Sequence, residues 1–228
     1  MKTTSIKFII GLMALVLSLT ACNSPATISG SLEGLEKENT KIYLIQPEDL
    51  QHVAASYLGK VIDSAIVNAD GSFEFQNIQT TKEPVLLELA VQPSGKAGNY
   101  LQTDDPIQTN YMPIVWQSGE SLQISAQFDE FQKTFTIENP SDLNSALLAV
   151  RDIKAEAYQT FLANQHWNVE DGDELMAKEH ALLQYKSSLM EFADSTSNLL
   201  PALVALRWVS PENDYERVPE FLVNQCTK

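Results

Sequence analysis

Hydrophobic positions alternate with polar ones from about Ile28 to Glu138, and from Ser141 onward they recur at helical spacing. The clearest alternation is Leu122, Ile124, Ala126 and Phe128 with Gln123, Ser125 and Gln127 between them, the pattern of a strand with one buried and one wet face. Short apolar runs at Lys41–Ile45, Val85–Val91 and Pro113–Gln117 read as further strands, and Phe135 with Ile137 supplies one more. Between Val61–Asn68 and Ser72–Phe75 stands Asp70-Gly71, a pair that tolerates positive φ and predicts a hairpin. Seven or so strands joined by turns predict an antiparallel β-sandwich over residues 28–139. Two long, weakly hydrophobic inserts interrupt it, Pro47–Lys60 and Pro93–Asn110, each readable as a binding loop or as a tolerated insertion.

Residues 140–228 form the expected helical region. Leu143, Leu147, Val150, Ala157 and Phe161 make one stripe, and Ser141 stands ready as its N-cap. A second helix is expected from about Asp173 to Ala193 and a third over roughly Asn198–Val209, where Pro201 is tolerable because it lies in the first turn. Tyr215, Val218, Phe221 and Leu222 outline a last amphipathic turn or two after Pro211. The expected class is therefore α+β, a β-sandwich followed by a helical hairpin and short helices.

The segment before Ile28 follows neither pattern. Lys2 and Lys7 precede Phe8–Leu19, an almost uninterrupted apolar stretch. As a helix it would reach roughly 18 Å, too short for a hydrocarbon core of about 30 Å. It reads as the core of a signal peptide over residues 1–22. The stretch ends in Leu19, Thr20, Ala21 and Cys22, which looks like a lipobox: small residues suit a signal peptidase pocket, and the thiol of Cys22 accepts the lipid. Residues 23–27 are then a short tether. Asn23 stands where an Asp would favour inner-membrane retention, and no acid-rich stretch follows the cysteine. The expected location is the periplasmic face of an outer membrane, with the lipid on Cys22 as the membrane contact.

Charge narrows the partners. The chain has 15 basic and 30 acidic side chains, a net of −15, and loses Lys2 and Lys7 with the signal peptide. Such a surface is repelled by phosphate backbones, which argues against nucleic acid and against adhesion to anionic lipid through the protein itself. Cys22 and Cys226 are the two cysteines, so a lipidated Cys22 leaves Cys226 without an intramolecular partner.

Catalytic patterns are not evident. His52, His166 and His180 lack a second ligand at metal-binding spacing. Ser64, Ser118 and Ser125 lack a nucleophile elbow, and no Gly-x-Gly offers a phosphate loop. Asp104-Asp105, Asp129-Glu130 and Glu170–Glu174 are the acidic clusters; the stretch Asn168–Glu174 lacks calcium-loop spacing and is better placed to cap the second helix. Trp116, Trp167, Trp208, Tyr100 and Tyr111 read as packing residues before a ligand groove. No cofactor, metal or catalytic residue is expected, and the chain reads as a non-enzyme.

Ile28-Ser29-Gly30-Ser31-Leu32, Lys41–Leu44, Val61-Ile62-Asp63-Ser64 and Asp70–Phe75, behind a lipobox and ahead of helices, resemble the amino-terminal half of a family of Bacteroidetes lipoproteins. In that family a domain of the DUF4369 type precedes a thioredoxin-like domain related to TlpA and the AhpC/TSA group. Phe192–Val209 followed by Pro211–Tyr215 looks like the linker into that second domain. The chain departs from the family in having no Cys-x-x-Cys, and dithiol exchange needs an attacking and a resolving thiol. The resemblance therefore implies a non-catalytic accessory or binding module of a thioredoxin-like system, with a thioredoxin-type protein as partner. The alternatives are an independent periplasmic lipoprotein that binds a peptide or glycan, and the truncated product of a thiol:disulfide oxidoreductase gene.

Overall fold

The computed structural model describes residues 27–35, 39–54, 59–78, 80–98, 100, 105 and 108–209. The signal peptide, the lipobox, the expected turns after Pro211 and Cys226 lie outside the described residues. Within them the chain is mixed α+β, with two four-stranded sheets and four α-helices. One sheet has the order β4-β1-β7-β8, built from Ser72–Glu74, Ile28–Glu33, Leu122–Gln127 and Thr136–Ile137. The other has the order β3-β2-β5-β6, built from Lys60–Ile66, Lys41–Gln46, Val85–Gln92 and Tyr111–Trp116.

The second sheet is antiparallel throughout, as expected, but the first is mixed. β1 and β7 run parallel, with Ile28 opposite Leu122 and Glu33 opposite Gln127. A parallel pair needs a long crossover, and the connection here includes the entire second sheet. The Asp70-Gly71 turn forms, but its strands do not make the expected hairpin: β3 pairs with β2 in one sheet, and β4 pairs with β1 in the other. Gly71 lets the turn lie close against β1. It holds φ at 84°, and a Cβ there would lie 2.2 Å from the carbonyl oxygen of Leu32, so the turn is seated on β1. Gly30 permits a second close approach, since a Cβ would stand 2.2 Å from the Ile124 carbonyl oxygen and 2.9 Å from the Phe73 ring.

The two sheets contribute to one hydrophobic cluster. Ile28, Leu32, Phe73, Leu122 and Ile124 come from the first, and Ile42, Leu44, Leu89, Met112 and Ile114 from the second. β5 is buried almost along its whole length, unlike the alternating β7, so both its faces are covered. One face carries Leu87, Leu89 and Val91 into the shared core; the other carries Glu88, Ala90 and Gln92.

A short helix α1 (Phe131–Thr134), not expected from the pattern, buries Phe131 edge-on to Phe135 with ring centroids 5.5 Å apart. α2 (Asp142–Phe161) starts at Ser141, whose hydroxyl accepts from the Asn144 N–H. α3 (Gly172–Ser195) starts at Asp171, whose carboxylate accepts from the N–H groups of Asp173 and Glu174. α4 (Leu199–Val209) is buried for most of its length. Among the described residues no helix is long and apolar enough to cross a membrane.

Candidate functional site

The face of β5 turned away from the shared core carries a chain of buried polar side chains, and both long inserts are fastened to it. Register puts Glu88 opposite Ile45 and Pro113, and Ala90 opposite Tyr43 and Tyr111, so all share that face. Glu88, Gln92 and Gln132 are fully buried, and Arg151, Lys154 and Arg207 nearly so. Burying polar groups costs free energy unless they are hydrogen-bonded, and most of these are.

The first insert is held at its strap, Leu50–Ala54. Asp49 opens a single turn there by accepting from the N–H groups of Gln51 and His52. Ala54 ends it with φ at 48°, an unusual conformation for a residue with a Cβ. Both of its peptide groups are engaged: its N–H donates to Glu88 Oε1, and its carbonyl accepts from the Tyr111 hydroxyl at 2.7 Å. From α4, Arg207 donates to the carbonyls of Val53 and Gln51 at 3.3 and 3.1 Å. Its neighbour Trp208 donates from Nε1 to the Tyr111 hydroxyl at 3.0 Å.

The second insert is held by Gln92, which donates to the carbonyls of Gly98 and Tyr100 at 3.1 and 2.7 Å. Asn110 donates to the Val91 carbonyl at 2.8 Å, and Tyr43 donates to that of Lys96 at 3.4 Å. At the far end, Gln132 joins α1 to β6 by donating to the Tyr111 carbonyl at 2.9 Å. Lys154 donates to Gln132 Oε1 at 3.0 Å and lies 4.4 Å over the Trp208 ring. Arg151 donates to the carbonyls of Gln132 and Phe135 and pairs with Asp152 at 2.6 Å.

Glu88 is the electrostatic oddity of this face. Loss of water around it pushes its carboxyl up to about 7, against weaker pulls from the Ala54 N–H and the Arg207 charge. Among the described residues its Oε2 has no hydrogen-bond partner. The Tyr185 hydroxyl, on α3, is also driven upward by burial and by Tyr158 beside it.

The side chains singled out in the sequence do not converge. His52 sits in the strap turn, where Nδ1 accepts weakly from the Glu48 N–H and Nε2 lies 3.6 Å from Asp49. His166 and His180 are exposed. The Ser118 hydroxyl accepts from the Thr81 N–H at 2.6 Å, and Ser64 and Ser125 are exposed. Among the described residues no group of three or more His, Cys, Asp or Glu is placed to hold a metal ion. Trp116, Trp208 and Tyr111 are buried in packing, whereas Tyr100 is exposed beneath Lys96. Motif spacing does not pick out Glu88 and Arg207, although each is the lone charge in an apolar run (VLLELAV and LVALRWV), the signal that marks a buried, partnered ion.

The arrangement is that of a joint: it binds backbone carbonyls and N–H groups of its own loops, and so fixes two inserts and three helices to one sheet. No family model matches the chain, and neither a curated protein nor a solved structure matches it.

Proposed function

We propose that the chain is a lipid-anchored, non-catalytic module that holds or positions a protein partner at a membrane. In this reading the two sheets stack as a sandwich behind the signal peptide, and the helices are appended to it. The observation that carries the reading is the order Lys2, Lys7, apolar Phe8–Leu19 and Leu19-Thr20-Ala21-Cys22, with β1 beginning only a few residues later at Ile28. Residues 23–27, even fully extended, span at most about 18 Å, which would keep the domain close to the lipid surface. Two or three acyl chains on Cys22, at roughly 0.8 kcal/mol per buried methylene, hold such a domain firmly. The location that fits best is the periplasmic face of an outer membrane.

The buried polar residues support a holding role, because they are spent on fixing loop backbone, and loops fixed at their roots make a preorganised binding surface. A thioredoxin-type protein is the partner that the resemblance suggests. The test is Cys22→Ser: the parent fractionates with membranes and incorporates labelled palmitate, whereas the variant is unlabelled and leaves the membrane fraction or stays unprocessed. A variant that behaves as the parent in both assays refutes the anchor. Reduction of insulin by the purified chain would refute the non-catalytic role.

A further inference from the structure

We propose that Glu88 is a protonation-controlled latch: the strap Leu50–Ala54 is seated on the sheet while the carboxyl is neutral and lifts when it ionises. Two independent features of the geometry lead there. The first is the pair of carboxyl oxygens, one accepting from the Ala54 N–H and the other buried with no partner among the described residues. A neutral acid in that position keeps Oε1 as the acceptor and leaves its proton on Oε2, at the modest cost of an unpaired hydroxyl. An ionised acid leaves a charged oxygen without water, which costs several times more. Water reaches it most directly when the strap comes away.

The second feature is the strap itself. Ala54 holds φ at 48°, a left-handed conformation that costs a residue with a Cβ roughly 1 kcal/mol. The seated strap therefore depends on its bonds to Glu88, Tyr111 and Arg207 and lacks the support of a relaxed backbone.

The charged and titratable surroundings do not neutralise the effect. From α4, Arg207 faces the carboxyl and favours its ionised form, but it also donates to the strap carbonyls, and desolvation outweighs it. From β6, Tyr111 donates its hydroxyl to Ala54 rather than to Glu88. On β2, Tyr43 and Lys41 share the face but stand opposite Ala90 and Gln92, further along β5. Lys154 of α2 is directed to Gln132 and the Trp208 ring. On the strap side, His52 and Asp49 face each other. Burial sets the midpoint near 7, so the strap is seated in mildly acidic surroundings and released in mildly alkaline ones.

Amide hydrogen exchange on the detergent-solubilised mature protein tests the latch. Corrected for intrinsic rates, protection at Val53 and Ala54 is expected to fall at least tenfold between pH 6 and pH 8.5, while protection in β7 holds steady. In Glu88→Gln, which is neutral at both pH values, strap protection is expected to be equal at the two. The ¹³C shift of the Glu88 carboxyl in the unmutated protein gives a readout that survives a folding failure of the variant: its titration midpoint coincides with the loss of strap protection. Equal protection at both pH values, midpoints more than a unit apart, or a drop that persists in Glu88→Gln would each overturn the proposal.

Discussion

The side-chain amide of Asn144 engages the peptide groups of Val115 as a neighbouring strand would, accepting from the N–H and donating to the carbonyl, both at 2.9 Å. β6 is the last strand of its sheet, and an unpaired edge is a template for unwanted strand addition. Here the first turn of α2 covers it, and Pro113, which removes a donor, is tolerated on that edge strand.

Replacing that amide leaves two buried backbone groups unpaired. Asn144→Ala is expected to lower unfolding free energy by about 2–4 kcal/mol in urea titrations. A loss under about 0.5 kcal/mol would mean that the edge is hydrated and the pairing incidental.

Gly30 makes a different kind of demand, set by space. A Cβ there meets the backbone carbonyl of Ile124 at 2.2 Å, and a β7 paired to β1 along its length cannot retreat locally. Gly30→Ala is expected to cost about 3 kcal/mol, read as a lowered thermal midpoint. Among the described residues nothing lies within 4 Å of the place a Cβ on Gly95 would take, but its φ is 82°. Alanine there is expected to cost only the smaller backbone penalty.

Much of this architecture was legible in the chain, for physical reasons that differ from place to place. β7 reads directly because its faces see different solvents, and α2 and α3 read because Ser141 and an acidic turn cap them. The parallel pairing of β1 with β7 and the parting of β3 from β4 were not legible. Partner choice between distant strands depends on contacts such as Gly71 on Leu32, which leave no local period. The polar joint was not read from the sequence: Glu88 and Arg207 carry a usable signal as lone charges in apolar runs, whereas Gln132 and Asn144 look like ordinary polar residues until their partners on β6 are known.

Global stability is expected to depend on pH through Glu88. Its folded carboxyl titrates near 7 against an ordinary 4.5, so the folded state binds the extra proton between those values. The resulting stabilisation is fully present below 4.5 and is lost as pH rises through about 7. The shift corresponds to roughly 3 kcal/mol. Denaturant midpoints measured from pH 5 to pH 8.5 are expected to fall for the parent and to stay flatter for Glu88→Gln, which should be the more stable protein at the alkaline end. A rise with pH in that window would reverse the assignment.

Tyr111 links three elements through one oxygen, donating to the Ala54 carbonyl and accepting from Trp208 Nε1. Tyr111→Phe is expected to cost about 2 kcal/mol and to shift the tryptophan emission, because the indole loses its acceptor. An unchanged stability and spectrum would place the hydroxyl outside the joint.

Attachment through lipid is the claim on which the proposed role rests, and the amino terminus of the protein isolated from membranes answers it directly. Intact-mass and fragment analysis is expected to find a first residue Cys22 bearing a diacylglyceryl group, with further acylation at its amine. A terminus at any other residue, or an unmodified Cys22, would contradict it.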